Sequence, residues 1–177
     1  MPDAPGLELI AQELNSEFEG AVLGTYYEHE RAALVVNPER NLDVLRWLRD
    51  APGQEYRFLS SLHGADYSPG EPRFGVHYEL LNMPRVERLR VKAALPDPGG
   101  DELPELDSCV ELYPTANFQE REAYDFFGIV FRGHPDLRRI LMPEDYVGHP
   151  LRRDFPIGGE PVLFTFNEKK LPRWYDG

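Results

Sequence analysis

Hydrophobic and polar positions change period several times along residues 1–95, and each change predicts a new element. Apolar residues recur at helical spacing in two stretches, and form alternating or continuous short runs in five others. The predicted helices cover residues 6–16 and 38–50, and the predicted strands cover residues 22–27, 32–36, 56–66, 74–80 and 89–95. This order of helix, two strands, helix and three strands is typical of a two-layer α+β domain with a mixed sheet.

The second predicted helix carries recognisable signals at both of its ends. Asn37 suits the capping position, Pro38 suits the first helical position, and Glu39 lies near the positive end of the helix dipole. The helix is expected to stop at the Ala51-Pro52-Gly53 sequence. Its predicted apolar stripe consists of Leu42, Leu45 and Leu48.

Beyond the last of these strands the chain becomes rich in proline and glycine. Residues 96–112 are acidic and contain many turn residues, which predicts a linker. Asn117 and Glu120 have the spacing of a capping box, and Gly128 suits the C-terminal end of a helix. Repeated prolines further on prevent a long helix or a central strand. We therefore expect residues 113–177 to form a helix followed by a long irregular arm.

Residues 117–156 differ from the rest of the chain in composition. They hold six arginines, seven carboxylates and seven aromatic side chains, a mixture that buried protein–protein contacts favour. The other residues carry 13 Lys and Arg against 24 Asp and Glu, in a chain of net charge −12. Such an acidic body argues against nucleic acid or an anionic lipid surface as the main partner. We therefore expect the charge-balanced segment to bind other proteins.

Cysteine content and hydropathy narrow the class of protein further. Cys109 is the only cysteine, which excludes an internal disulfide and an iron–sulfur cluster held by about four thiolates of this chain. A reducing cytoplasm is the expected compartment. No apolar run is long enough to predict a membrane span, and the first residues, M-P-D-A-P-G-L-E, do not resemble a secretory signal.

Two Gly-His-Pro turns place His134 and His149 near the carboxylates of Asp136 and Asp145. Histidine and aspartate are ligands that suit zinc or iron, so a metal site is one interpretation. The sequence contains no His-x-x-x-His or Cys-x-x-Cys spacing that would support it. We favour the alternative, in which these turn histidines bond to the backbone or to a carboxylate.

Three carboxylates, Glu120, Glu122 and Asp125, lie on one short predicted helix. Paired carboxylates can perform acid–base chemistry, but no nucleophile or glycine-rich loop accompanies them. We favour charge pairing with downstream arginines, which would fix the C-terminal arm to the helix. The candidate arginines are Arg138, Arg139, Arg152 and Arg153. These could also hold phosphates, although the backbone cradle of nucleotide-binding loops is missing from the sequence.

Three sequence blocks in order resemble a known family. They are E-R-E-A-Y-D-F-F-G-I, G-H-P-D-L-R-R-I-L and G-H-P-L-R-R-D-F-P, and all lie within residues 117–156. They are similar to the signature of the 30-kilodalton subunit family of proton-translocating NADH:quinone oxidoreductase, respiratory complex I. The position before Gln119 is often Trp in this family and is Phe118 in this chain, which retains an aromatic side chain.

The resemblance implies a non-catalytic subunit that binds no cofactor of its own. In the family, FMN, iron–sulfur clusters and quinone belong to partner subunits, and electrons pass from NADH to quinone with coupled proton translocation. The implied partners are the large quinone-site subunit and the iron–sulfur subunits of the peripheral arm. The implied location is the cytoplasmic side of the bacterial cell membrane, with membrane contact only through the complex.

We expect the C-terminal part of the chain to form the contact with these partners. Aromatic side chains would be its apolar anchors, and its charged residues would pair within the arm or across the interface. The residues expected at the subunit interface are Phe118, Glu120, Arg121, Glu122, Asp125, Phe126, Phe127, His134, Arg138, Arg139, His149, Arg152, Arg153, Asp154 and Phe155.

Three alternatives remain open from the sequence. The first is an equivalent scaffold subunit in a membrane-bound hydrogenase or related complex, which only the identity of the partners distinguishes. The second is an autonomous metal-dependent enzyme built on His134, His149 and the helix carboxylates. The third is an isolated binding module, which would be a well-behaved monomer with a solvated arm.

Overall fold

The structure, a computed structural model, describes residues 2–28 and 31–156, so the last part of the predicted arm, residues 157–177, lies outside the described residues. The α-helices in these ranges are α1 (Ala4–Glu17), α2 (Asn41–Asp50) and α3 (Ala116–Phe127). The strands are β1 (Val22–Glu28), β2 (Arg31–Val36), β3 (Phe58–Asp66), β4 (Phe74–Asn82), β5 (Glu87–Leu95), β6 (Glu105–Asp107) and β7 (Val130–Arg132). None of the helices in the described ranges is long and apolar enough to cross a membrane.

Five strands form a mixed sheet in the order β1-β2-β5-β4-β3. Neighbouring strands are antiparallel except for β2 and β5, which run parallel in the middle of the sheet. Strands β6 and β7 form a separate two-stranded parallel sheet, which the sequence pattern had not predicted. The predicted two-layer α+β fold with a mixed sheet is therefore confirmed.

The core lies between one face of the large sheet and the helices. Alternate residues of the strands supply it, and Leu34, Tyr78 and Val91 are fully buried. Leu14 of α1 and Leu45 of α2 are fully buried on the opposite side. Burying a large apolar side chain stabilises the fold by about 1.5–3 kcal/mol relative to leaving it exposed, so this layer dominates stability.

The helix ends follow local capping chemistry, with small differences from the predicted bounds. The Asp3 side chain accepts the amide of Gly6 at 2.8 Å, so α1 begins two residues earlier than expected. Asn37 accepts the amide of Glu39 at 3.1 Å as predicted, but it caps a 3-10 turn that precedes α2. In α2, Val44 belongs to the buried stripe and Leu42 is only partly buried.

The predicted capping box of α3 is wrong. The helix begins at Ala116, so Asn117 is already a helical residue, and the side chain of Glu120 bonds to residues 108 and 109 instead. Gly128 ends the helix as predicted, in the left-handed conformation with φ of 70°. Its amide donates to the carbonyl of Tyr124 at 2.8 Å.

Core packing continues beyond residue 95. Leu106 and Cys109, from the stretch predicted as a linker, are buried in the same core cluster as the large sheet. Ile129 and Phe131, which follow α3, are buried there too. The division into body, linker and arm stays a prediction, but the apolar core of the described residues extends to β7.

Candidate functional site

Asp125 organises the segment that follows β7, which we call the anchored segment (residues 133–156). Its carboxylate is fully buried at the C-terminal end of α3. One oxygen, Oδ2, accepts the amides of Ile140, Leu141 and Met142 at 3.0, 2.8 and 2.9 Å. The other, Oδ1, accepts Nη1 of Arg139 at 2.7 Å. A single side chain thus fixes four donors of the anchored segment.

The electrostatics of Asp125 favour its ionised form. Burial by itself raises the pKa of this carboxyl, but the amide of Met142, the guanidinium of Arg139 and two further amides outweigh burial and hold it below its usual value. Arg139 is equally committed, because its Nη2 donates to the carbonyls of Tyr146 and Gly148 at 2.8 and 2.7 Å. The pair therefore joins α3 to two turns of the anchored segment.

Two further arginines bond to backbone carbonyls rather than to carboxylates. Arg121 of α3 donates to the carbonyls of Arg138 and Arg139, both at 3.1 Å. Arg152 donates from Nε to the carbonyl of Phe127 at 2.7 Å. Charge pairing with the helix carboxylates was predicted for all four downstream arginines, and within the described residues it holds for Arg139 only. Arg138 instead pairs with a carboxylate of the anchored segment, Asp136, at 2.9 Å.

The two Gly-His-Pro histidines bond to the backbone, as we favoured. The Nε2 atom of His134 lies 3.0 Å from the carbonyl of Asn117, and its Nδ1 accepts the amide of Asp136 at 3.0 Å. The Nδ1 atom of His149 lies 3.0 Å from the carbonyl of Asp125. Because the two carbonyls lie eight residues apart on α3, about 12 Å along its axis, the histidines occupy opposite ends of the helix.

No group of three or more His, Cys, Asp or Glu side chains within residues 2–28 and 31–156 is placed to hold a metal ion. The two histidines predicted as metal ligands form hydrogen bonds with the backbone instead. His134 has both ring nitrogens within hydrogen-bond distance of backbone atoms, and burial lowers the pKa of His149, which favours its neutral form. This geometry argues for a structural role of both rings.

A second anchor joins the anchored segment to the large sheet. Asp66 at the end of β3 accepts the amide of Arg153 at 2.9 Å, and Arg153 donates from Nη1 to the carbonyl of Ser68 at 2.9 Å. Arg73 pairs with Asp66 at 3.1 Å and with Asp154 at 2.8 Å. Sequence reasoning missed Asp66 and Arg73, because no local pattern marks two residues whose partners lie more than eighty positions away.

The prediction that Glu120 pairs with an arginine is wrong. Its buried carboxylate accepts the hydroxyl of Ser108 at 2.6 Å and the amide of Cys109 at 2.8 Å. Burial raises the pKa of Glu120, and it also raises the pKa of the Cys109 thiol. Glu122 is exposed and makes no ion pair among the described residues. The three helix carboxylates therefore face three different environments.

The predicted aromatic anchors differ in exposure. Phe118 is exposed, whereas Phe126, Phe127 and Phe155 are half-buried. Phe127 lies against Gly64 of β3, where an added Cβ would come within 2.6 Å of its ring. Phe155 stacks on Tyr146 with ring centroids 6.2 Å apart. Only Phe118 thus presents most of its ring to an external partner.

Three apolar side chains of the anchored segment face solvent, although hydrogen bonds hold its backbone. Leu141, Val147 and Leu151 are all exposed. The hydrogen bonds around Asp125 hold the backbone, and these three side chains remain in contact with solvent instead of packing in the core. The arrangement presents a partly apolar surface, and four of its eight charged side chains form ion pairs among the described residues.

Comparison with known proteins finds a family whose sequences this chain resembles. The family described as respiratory-chain NADH dehydrogenase, 30 Kd subunit, matches residues 34–161. The chain is 45% identical over 162 residues to the C subunit of NADH-quinone oxidoreductase from Roseiflexus castenholzii, covering 92% of this chain and 91% of the relative. It is 42% identical over 159 residues to the protein of the same name from Herpetosiphon aurantiacus, covering 90% of each.

A solved structure shares the fold at lower sequence identity. A chain in the structure of the membrane-bound sulfane sulfur reductase, an archaeal respiratory membrane complex, superposes with a TM-score of 0.69. The match covers 96% of this chain and 95% of that chain at 22% identity. At this identity the likeness shows a common fold.

Proposed function

Because this chain belongs to the family of the 30 Kd subunit of respiratory-chain NADH dehydrogenase, we propose that it is a non-catalytic structural subunit of the peripheral arm of NADH:quinone oxidoreductase. In this proposal, partner subunits hold FMN, the iron–sulfur clusters and the quinone site. Electrons pass through them from NADH to quinone, and the complex couples this transfer to proton translocation. The chain lies on the cytoplasmic side of the bacterial membrane and reaches the membrane only through the complex.

The observation that carries the proposal is that hydrogen bonds hold the backbone of the anchored segment while its exposed apolar side chains face outward. Asp125 and Arg139 fix its backbone, while Val147 and Leu141 remain 88% and 62% exposed. Fixed apolar side chains on a surface suit a permanent partner, because binding then requires little ordering of the chain. We propose that this surface, together with Phe118, contacts the quinone-site large subunit and the iron–sulfur subunits.

The engagement of the acidic and basic side chains supports a structural role. Glu120, Asp125 and His134 each satisfy backbone donors or acceptors of this chain. A general acid or base needs a free position toward a substrate, which these bonds occupy. The chain would contribute shape and charge pairing to the complex, and the redox chemistry would belong to its neighbours.

The test compares two pairs of exposed apolar residues in the complex purified from its native membranes. Val147→Asp with Leu141→Asp changes the anchored segment. Val86→Asp with Leu9→Asp is the control, because these side chains are 81% and 58% exposed elsewhere on the surface. We expect the first variant to lower co-recovery of partner subunits by roughly tenfold or more and the control to lower it by less than about twofold.

The partners recovered with the wild-type chain decide the wider assignment. A set of subunits containing FMN, iron–sulfur clusters and a quinone-site subunit would support the proposal. A large subunit carrying nickel would move the chain to a hydrogenase-type complex. Equal recovery with both variants would contradict the role of the anchored segment, and recovery of the wild-type chain alone would contradict the proposed function.

A further inference from the structure

The large sheet has one face that no helix of the described residues covers. Residues on the helix side, such as Tyr78 and Val91, are fully buried. Their neighbours on the other side, Glu79 and Arg90, remain partly exposed, and His63 on β3 is exposed. We call this second surface the open face. In a subunit proposed to lie inside a large complex, an uncovered sheet face is a candidate surface for contact with a partner.

A groove of about 670 Å³ crosses the open face. Three arginines, Arg31 of β2 and Arg88 and Arg90 of β5, line it, together with Ser60 and Glu79. Arg90 pairs with Glu79, which leaves the groove with a net positive charge from the other two arginines. This is a local reversal of sign on a chain whose net charge is −12.

Arg31 and Arg88 lie side by side on neighbouring strands. The parallel register pairs Ala33 with Arg90, so Arg31 and Arg88, two residues earlier on the same strands, are neighbours. Neither forms an ion pair with a side chain of residues 2–27 or 31–156. Like charges that face each other across strands are unfavourable in an isolated sheet. On the other side of β2, Glu28 is the cross-strand partner of Arg31, so the unpaired positive charge of this pair lies chiefly at Arg88.

The positive character continues along β5 beyond the groove. Lys92 lies over the ring of Tyr67, with Nζ 4.0 Å from the ring centroid. The rings of His63 and His77 stack beside it with centroids 4.9 Å apart. His77 is buried and bonds to the Tyr67 hydroxyl through Nε2, but its Nδ1 has no hydrogen-bond partner. The open face thus offers cationic and polar groups well beyond two arginines.

We propose that the groove of the open face binds an acidic segment of a partner subunit, whose carboxylates pair with Arg31 and Arg88. The inference rests on the proposed function, since it assumes that the chain works within an assembly. Arginine holds carboxylates through two parallel hydrogen bonds, which fits an acidic side chain lying across neighbouring strands. The partner would remove the repulsion between the two guanidinium groups and would cover the sheet.

The first experiment is charge reversal in the intact complex. Arg31→Glu with Arg88→Glu removes the positive groove, and Arg40→Glu with Arg46→Glu is the control. The control residues are exposed arginines on the helix side of the sheet. We expect the groove variant to lower recovery of partner subunits by roughly tenfold or more and the control by less than about twofold. Equal recovery of the complex with both variants would overturn the proposal.

A second measurement avoids the effect of charge reversal on folding. Arg88→Lys keeps the positive charge and provides an amine that a carbodiimide joins to nearby carboxylates. In the purified complex, a cross-link from this position to an Asp or Glu of another subunit is the expected result. A cross-link only to carboxylates of this chain, or none at all, would overturn the proposal even where the wild-type complex assembles normally.

A small anion is the other possible occupant of a basic groove. Titration of the isolated chain with inorganic phosphate, followed by NMR, tests this directly. Phosphate binding that the groove variant abolishes, combined with normal assembly of that variant, would identify a free-anion site and overturn the proposal. Loss of assembly in the groove variant, with recovery of the wild-type complex, supports it. Failure of the wild-type chain to recover any subunit would instead refute the proposed function.

Discussion

The body of the chain and its anchored segment keep their shapes by different physical means. From α1 to β7, alternate apolar residues fill one continuous core, and packing is spread over about thirty side chains. Across residues 133–156, which are all described, no residue is fully buried. Leu137 packs against the core, and hydrogen bonds and ion pairs to a few groups, above all Asp125, hold much of the remaining segment.

This difference means that the two regions should respond differently to mutation. Many residues share the hydrophobic core, so a substitution in it lowers the stability of the whole cooperative unit. A buried carboxylate that accepts several amides has no substitute, because each donor would be left unpaired when it is removed. We therefore expect the anchored segment to open while the region from α1 to β7 stays folded.

The largest effect should come from the core beside the anchored segment. Phe131→Ala removes a side chain that is 2% exposed, and we expect it to lower the free energy of unfolding by about 3–5 kcal/mol. Phe118→Ala is the matched control, because that ring is 64% exposed and should change stability by less than about 0.5 kcal/mol. Urea unfolding of the purified chain measures both. Similar losses of unfolding free energy in both variants would contradict the expected difference between buried and exposed aromatic residues.

A smaller, local effect is expected at the centre of the anchored segment. Asp125→Asn replaces one carboxylate oxygen with an NH2 group, which cannot accept the N–H groups that point at this site. We expect it to lower the free energy of opening the anchored segment by about 2–3 kcal/mol. Hydrogen exchange should show faster exchange at Ile140 to Met142, with unchanged amides in β4. The control is Asp136→Asn, because that carboxylate forms an exposed ion pair with Arg138. Equal acceleration in β4 would show that both regions open together.

The same contact predicts an acid-sensitive opening of the wild-type segment. Hydrogen bonds keep the pKa of Asp125 below its usual value of 3.8, so the stabilisation is present above that pH and is lost as the pH falls through the lower, folded-state pKa. Protection of residues 140–142 should thus fall below about pH 4 in the wild type. The Asp125→Asn variant should lack this dependence.

The smallest predicted effect concerns the junction between the two regions. Gly128→Ala forces a side chain into the left-handed conformation and places Cβ 2.6 Å from the ring of His149. Gly20→Ala is the control, with nearly the same φ of +69° but open space around it. In urea unfolding, we expect Gly20→Ala to lower the free energy of unfolding by about 1 kcal/mol, and Gly128→Ala to lower it by about 1 kcal/mol more than that. Equal losses would show that His149 shifts at little cost.

Predictions from the sequence were correct where the signal lay in neighbouring residues. Leu89, Val91 and Leu95 alternate with other residues and lie in β5 as predicted. Gly128 ends α3 as predicted, because glycine readily adopts the left-handed conformation found there. It failed where a residue had two compatible partners. Glu120 has the spacing of a capping box, yet its carboxylate bonds to Ser108 and Cys109, which only the fold brings next to it.

The chain by itself determined the three helices, the five strands of the large sheet, the two-layer class and the family, because neighbouring residues carry apolar periodicity and short motifs. The tertiary structure decided which charges meet. Asp125 selected Arg139 over the other arginines, and Arg153 reached Asp66 across 87 positions. The open face of the sheet likewise depends on which strands pair. Partner choice follows three-dimensional proximity and burial, and these quantities exist only once the chain has folded.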